Sequence, residues 1–269
     1  DFKENHLNII NIKLPENIIL GEQNIKYASF IKNSIITCVK TQMESIASAI
    51  VTNPINKKMM YNSGFKFKGH TDFLASLSKN KKNPVMMLVN NELKTIPLTI
   101  HVPIKNVPRL ISKDLIEITI NIVKESMISL FNISKPRIVV TGLNPHSGEN
   151  GDIGDEEQKI IIPAINKAKK KQDCFLEGPI SADTAFSSER RKDYDVVICM
   201  YHDQALIPIK TLDFFNGVNV TLGLDFIRTS PDHGTGFDIA GKNVANPNSL
   251  IAAINMAYKM SANKNNGWN

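Results

Sequence analysis

Short apolar runs alternate along the chain with longer stretches of helical spacing. Ala49 to Thr52 and Val85 to Val89 are compact apolar runs, and Leu98 to Val102 is a third, set between prolines. Arg137 to Gly142, Cys174 to Gly178, Val196 to Tyr201 and Val218 to Gly223 each run from apolar residues towards a loop. Continuous apolar strands of this kind suit a sheet covered on both faces. Helical stretches fall between them: Tyr27 to Thr41, Ser112 to Ile133, Asp155 to Lys171 and Asn248 to Ser261. Ile116, Ile118, Ile120 and Ile122 alternate as a strand would, but the stretch runs without a breaker well beyond ordinary strand length, which predicts a helix. Asp155, Glu156 and Glu157 open the third stretch and Lys169, Lys170 and Lys171 close it, matching the helix dipole. Pro163 predicts a kink or break inside it, and Asn248 is the expected cap of the last helix. The alternation predicts an α/β fold with a largely parallel sheet. Ser78 to Pro84 reads as a polar surface loop, and Met59-Met60 and Met86-Met87 as core filler.

Composition narrows the partners. The chain has 269 residues, enough for one large domain or two lobes. Lysine and arginine outnumber aspartate and glutamate by 32 to 26, a net charge of +6 that attracts anions. Only 7% of residues are aromatic and no basic stripe is interleaved with them, which favours phosphorylated metabolites over nucleic acid. Cys38, Cys174 and Cys199 are far apart and odd in number, so neither a disulfide framework nor a cysteine zinc site is expected. No apolar run reaches the length of a membrane span, and no signal peptide opens the chain. The expected location is the reducing cytoplasm. The first residue is Asp1 rather than methionine, which leaves the N-terminus open to extension.

Histidine is scarce, and His101, His146 and His202 lie near the ends of predicted strands. Side chains at such ends converge on the ligand crevice of an α/β sheet. Three imidazoles suit a borderline divalent cation such as zinc. Each taken alone is as simply a hydrogen-bonded loop residue, and no close H-x-x-x-H pair exists. His70 and Thr71 stand at a helix start that could take an anion, or Thr71 or Asp72 could simply cap it. Lys210, Asn219 and Arg228 follow His202 and could clamp phosphate and carboxylate, or be solvated surface groups. Asp183 could orient a ligand imidazole or cap a turn.

Taken in order, these segments resemble one family. They are Thr52-Asn53-Pro54, Gly69-His70-Thr71-Asp72, Gly142-Leu143-Asn144-Pro145-His146-Ser147-Gly148-Glu149, Gly178-Pro179 with Ala182-Asp183-Thr184, and Tyr201-His202-Asp203-Gln204 followed by Lys210. Val218 to Leu224, Ile227-Arg228-Thr229-Ser230 and Asp232-His233-Gly234-Thr235 complete the set. The chain resembles the 4-hydroxythreonine-4-phosphate dehydrogenases of vitamin B6 biosynthesis. Asp232 to Lys242 with Ala245-Asn246-Pro247 also resembles the cofactor loop of isocitrate and isopropylmalate dehydrogenases. The resemblance implies the fold those enzymes share: two α/β lobes with a cleft between them. Residues 1–65 and 228–269 would form the cofactor-side lobe, and 66–227 the metal, substrate and dimerisation lobe. The family's opening strand and glycine-rich loop have no counterpart here.

By the same resemblance, His101, His146 and His202 are ligands of a divalent metal (zinc, magnesium or cobalt) shared between the subunits of a homodimer. His70, Thr71, Lys210, Asn219 and Arg228 bind substrate. His233, Gly234, Asp238 and Asn246 fall in the NAD (or NADP) loop. Lys210 and Asp183 are the catalytic candidates. The implied substrate is 4-phosphooxy-L-threonine, a small phosphorylated amino acid. Alternatives are a sister dehydrogenase of 4-phosphothreonate or 4-phosphoerythronate, a metal-dependent phosphoester hydrolase, and a truncated protein that binds without catalysis.

Overall fold

The apolar runs become the strands of one sheet. The computed structural model describes residues 3–14, 17–80, 82–170 and 174–266. Among these, the strands are β1 (Ile50–Val51), β2 (Val85–Val89), β3 (Lys94–Thr99), β4 (Arg137–Thr141), β5 (Phe175–Ile180), β6 (Val196–Tyr201), β7 (Val218–Leu222) and β8 (Arg228–Pro231). They lie in the order β1-β8-β7-β2-β3-β6-β4-β5. The helices are α1 (Ala28–Met43), α2 (Lys57–Asn62), α3 (His70–Leu77), α4 (Val107–Leu110), α5 (Lys113–Ser129), α6 (Ile162–Lys169), α7 (His202–Leu212) and α8 (Asn248–Asn266). The α/β expectation holds, with β1 and β8 from the expected cofactor side joined to the other strands in a single sheet.

Strand β6 shows why its run is apolar throughout. Val196, Ile198 and Met200 join a core with Ile116, Ile120, Val123 and Met127 of α5, Ala164 and Ile165 of α6, and Ala253 of α8. Val197 and Cys199 point the other way, into a cluster with Ala205, Leu206 and Ile209 of α7. Side chains alternate across a strand, so both faces of the sheet are covered. In α5 the spacing of Ile116, Ile120, Val123 and Met127 is helical, and Ile118 is left exposed. Ser112 starts that helix by accepting a bond from the Leu115 amide.

Several expectations are corrected. The sheet is mixed rather than largely parallel: β1–β8, β3–β6, β6–β4 and β4–β5 are parallel, while β2–β3, β2–β7 and β7–β8 are antiparallel. The reason is connection length, because parallel neighbours need a crossover of a dozen or more residues. Only a tight turn links β2 to β3, closed by Asn90, whose side-chain oxygen accepts from the Glu92 and Leu93 amides. The strand expected at Leu98 to Val102 is β3, which ends at Thr99 and leaves His101 in a loop at φ 52°. Strand β8 is short and polar enough to escape a hydrophobic pattern. Pro163 does not break its helix: a wider π-helical stretch, Glu157–Ile161, leads into α6, and Pro163 sits in the first turn of α6. Lys171 lies outside the described residues. The cap of α8 comes from Asn246, whose oxygen accepts from the Asn248 amide, not from Asn248 itself. Ser78 is no surface residue. It is buried and donates to Asp225, tying the start of its loop to the β7–β8 connection.

Candidate active site

Strands β3, β6, β4 and β5 are parallel and adjacent, so their C-terminal ends share one edge of the sheet. His101 follows β3, His202 starts α7 directly after β6, His146 follows β4 and Asp183 follows β5. This is the edge where α/β sheets bind ligands. Neighbouring strands lie about 4.8 Å apart, and the rings of His101 and His202 are 5.7 Å apart. A cavity of about 170 Å³ opens between Thr99, His101, Val102, Tyr201, His202 and Asp203. The His202 Nδ1 lies 2.6 Å from Asp203 Oδ1, which fixes the ring and leaves Nε2 for a ligand. Burial, then the charges of Lys57 and His202, pushes the His101 imidazole below its ordinary value, although Asp72 opposes this. A neutral imidazole is the form that ligates.

His146 sits on an unusual loop. His146, Ser147, Glu149 and Asn150 have φ of 51°, 53°, 39° and 59°, with Gly148 among them at 79°. Left-handed backbone costs a residue with a Cβ about 1–2 kcal/mol, so other contacts hold this run in place. His146 lies close enough to Asp183 for its charge to help hold that carboxyl below the usual range, after the larger effect of the Ser181 hydroxyl. Among the described residues no group of three histidine, cysteine, aspartate or glutamate side chains is arranged to hold a metal. One chain thus brings His101 and His202 together, with His146 and Asp183 on the neighbouring loops after β4 and β5. An imidazole pair with one ring already oriented by a carboxylate fits a divalent cation of borderline hardness.

A second constellation lies where β1, β7 and β8 meet. The Arg228 guanidinium is buried, and its hydrogen bonds go to the hydroxyls of Thr52 and Thr221. Burial pushes it down to about 10. Burial also pushes the His70 imidazole down to about 3, with the charge of Arg228 adding to the effect. His70 Nε2 and Asn219 Oδ1 are buried without a hydrogen-bond partner. Buried polar atoms without partners are uncommon in folded proteins and point to a missing ligand or water. Neither Thr71 nor Asp72 caps α3, because Gly69 holds the cap position and no side chain bonds there. Lys210 is engaged elsewhere. Its Nζ is 2.8 Å from Asp232 Oδ2, and it lies about 12 Å along α7 from His202 at 1.5 Å per residue.

His233, Gly234, Asp238 and Asn246 are exposed in the loop between β8 and α8. A Cβ added at Gly234 would meet nothing within 4 Å. Asn246 is partly committed to capping α8.

Two residues of the site are not among the candidates, and only the fold shows what they do. Glu157 reads as a dipole acid but is 1% exposed and binds the His146 loop. Gln204 stands in the Tyr201–Gln204 segment, and its amide bonds Met200, Thr141 and Gly142. Glu157 reaches back to the loop after β4, and Gln204 joins the end of β6 to the end of β4.

The model of a family described as pyridoxal phosphate biosynthetic protein PdxA matches residues 1–257. The chain is 52% identical over 221 residues to a 4-hydroxythreonine-4-phosphate dehydrogenase of Bradyrhizobium diazoefficiens, covering 81% of this chain and 64% of that protein. It is 51% identical over 229 residues to one of Roseobacter denitrificans, covering 85% and 70%. The crystal structure of a 4-hydroxythreonine-4-phosphate dehydrogenase from Klebsiella pneumoniae superposes with a TM-score of 0.82 at 36% identity, over 90% of this chain and 73% of that one. The chain therefore spans roughly two thirds of the length of the curated relatives it matches. With a match that runs through both constellations, the chain belongs to the pyridoxal phosphate biosynthetic protein PdxA family.

Proposed function

We propose that the protein oxidises 4-phosphooxy-L-threonine at C3 with NAD or NADP, in vitamin B6 biosynthesis. The product would be 2-amino-3-oxo-4-phosphooxybutanoate, a β-keto acid that loses carbon dioxide to give 3-amino-2-oxopropyl phosphate. The observation that carries this reading is Arg228, a buried cation bonded to neutral hydroxyls and beside two unpartnered polar atoms. Buried charge without an opposite partner is costly, and an anionic substrate relieves that cost. The names of the relatives support the same substrate.

In this reading Arg228, His70, Thr71 and Asn219 hold the phosphate and carboxylate ends. His101, His146 and His202 hold zinc, magnesium or cobalt, with imidazoles drawn from two copies of the chain in a homodimer. His233, Gly234, Asp238 and Asn246 hold the nicotinamide cofactor. When bound, the cation would supply Lewis acidity for the C3 oxygen and the nicotinamide would supply a hydride acceptor. Lys210 moves a proton at the C3 hydroxyl once substrate draws it from Asp232, and Asp183 orients His146. Residues 1–65 and 228–269 serve as the cofactor side, and 66–227 as the metal, substrate and dimerisation side. Among the described residues no helix is long and apolar enough to cross a membrane.

The test is reduced-cofactor absorbance with 4-phosphooxy-L-threonine, NAD or NADP, and added zinc, magnesium or cobalt, with and without chelator. Metal-dependent NADH or NADPH formation is the expected result. Formation only with 4-phosphothreonate or 4-phosphoerythronate would move the assignment to the sister reaction. Phosphate release without cofactor would move it to hydrolysis.

A further inference from the structure

We propose that Glu157 is the positioning residue for His146, a carboxylate clamp that sets the left-handed loop carrying that imidazole. Glu157 opens the π-helical stretch before α6, eleven positions beyond His146 in the chain. Its Oε1 accepts from two consecutive backbone amides, Leu143 at 2.7 Å and Asn144 at 2.8 Å. Its Oε2 accepts from the Asn144 side-chain amide at 2.9 Å. The same Asn144 amide donates to Glu156 Oε2 at 2.7 Å. Both carboxylate oxygens are thus committed to the two residues that lead into Pro145 and His146.

The packing leaves this carboxylate no slack. A Cβ on Gly148 would lie 2.7 Å from Glu157 Oε2, and one on Gly142 would lie 3.1 Å from Oε1. A Cβ on Gly154 would collide with the Asn144 side chain. Three glycines therefore surround one clamp: the carboxylate fills the space at Gly148, its partner Asn144 fills it at Gly154, and Ser147 together with the carboxylate fills it at Gly142. The left-handed run from His146 to Asn150 starts one residue, Pro145, after the clamped pair. Charge-assisted bonds to backbone amides are the stronger class, and here they fix the entry to a loop that local backbone preference disfavours. Glu157 is buried beneath the loop and acts on the imidazole only by placing its backbone.

The metal consequence rests on the reading given above, whereas the loop consequence does not. Two measurements on the whole chain separate them. Amide hydrogen exchange reads the loop, and zinc affinity, by competition with a chromophoric chelator, reads the imidazole. In Glu157→Ala, exchange at Leu143 and Asn144 should rise about a hundredfold while Val139 and Val140 keep their protection. Zinc affinity should fall about ten- to a hundredfold, towards that of His146→Ala. Glu157→Gln keeps one oxygen for the two backbone amides and should recover most of both losses, whereas Glu157→Met, which fills the space without an acceptor, should recover neither; recovery in the methionine variant would mean that Glu157 only fills space. Asn144→Ala removes the third bond without burying a cavity at Glu157, and should give intermediate losses if the alanine variant at 157 does not fold. Native exchange at Leu143 and Asn144 in these variants overturns the clamp. Native zinc affinity in Glu157→Ala, where His146→Ala has lost it, overturns the positioning role. If His146→Ala itself binds zinc as the native chain does, the metal reading fails and the exchange data alone decide the clamp.

Discussion

The hydroxyl of Thr52 accepts from both Nε and Nη2 of Arg228, at 3.2 and 2.8 Å, across the seam where β1 meets β8. The register pairs Ile50 with Arg228 and Val51 with Thr229, so Thr52 arrives beside the guanidinium by parallel pairing of strands distant in sequence. A hydroxyl orients the fork but leaves its charge unbalanced.

That imbalance sets stability against binding. Arg228→Met should make the anion-free protein more stable by about 1–3 kcal/mol, because a buried cation without an acid partner is replaced by a side chain of similar volume. The same change should abolish stabilisation by inorganic phosphate. Arg228→Lys, which keeps the charge but loses the planar fork, should lower kcat/KM for the phosphorylated substrate by about a hundredfold. Urea melts with and without phosphate, and steady-state rates, check both halves. A methionine variant less stable than the native chain would mean that the two threonines already balance the charge.

His70 makes stability depend on pH. Its folded value is pushed down to about 3 from an ordinary 6.5, by burial first and by Arg228 second. Above the ordinary value both folded and unfolded chains carry neutral imidazole, and the residue contributes no pH dependence. As pH falls below it, the unfolded chain binds a proton that the folded chain refuses. Stability then drops by about 1.4 kcal/mol per pH unit until the folded value is reached. His70→Gln removes this slope. Between roughly pH 7 and pH 5, urea melts should show the native chain losing about 2 kcal/mol more than the variant. Equal losses would place His70 in contact with water or an acid.

What the sequence discloses, and what it hides, follows from where each residue's partners lie. Strand β6 is legible to the residue because both of its faces are buried, so Val196 to Tyr201 is apolar whichever way it is read. The placement of His101, His146 and His202 at strand ends is legible for the same reason, since each follows a recognisable run. Strand β8 is hidden because Arg228, Thr229, Ser230 and Pro231 are polar or helix-breaking, and are buried only by β1, β7 and α8 closing around them. Glu157 is hidden among three consecutive acids, since nothing local tells a buried clamp from a solvated dipole acid. The antiparallel half of the sheet is foreshadowed only by the short spacing between Val89 and Lys94.

Asp203 offers a direct test of how His202 is oriented. Its carboxylate is exposed, yet its Oδ1 lies 2.6 Å from the ring nitrogen. Asp203→Asn keeps the shape and removes the charge that favours one tautomer. Zinc affinity should fall about tenfold, while thermal stability stays near native, since an exposed pair contributes about 1 kcal/mol or less. Chelator competition against a His202→Ala reference measures it. An unchanged affinity in the asparagine variant would leave the pair with no role in ligand orientation.

Gln204 joins three parts of the sheet edge through one amide. Its Oε1 accepts from the Met200 amide at 2.7 Å and from the Thr141 hydroxyl at 2.8 Å, and its Nε2 donates to the Gly142 carbonyl at 2.9 Å. The first turn of α7, with His202, is thereby fixed to the strand that leads to His146. Gln204→Leu removes this bond from the Met200 amide and the Gly142 carbonyl, leaves the Thr141 hydroxyl only its 3.4 Å bond to the Ile198 carbonyl, and should cost about 2–4 kcal/mol. Gln204→Glu at neutral pH keeps the acceptor but turns the donor into a second carboxylate oxygen facing the Gly142 carbonyl, and should cost a similar amount. The two variants then part company in acid. The protonated acid form can donate to Gly142, so the folded chain favours the proton and the carboxyl value in the fold is raised. A raised carboxyl value means that the folded chain binds protons in excess of the unfolded one. The deficit is therefore greatest above the folded value and shrinks as pH falls towards the ordinary glutamate range. Urea melts across that range should show the Gln204→Glu deficit closing relative to the native chain, while that of Gln204→Leu stays constant. A glutamate deficit that does not change with pH would mean that the Gly142 carbonyl finds another donor, and that the link between the two histidine loops runs through Oε1 alone.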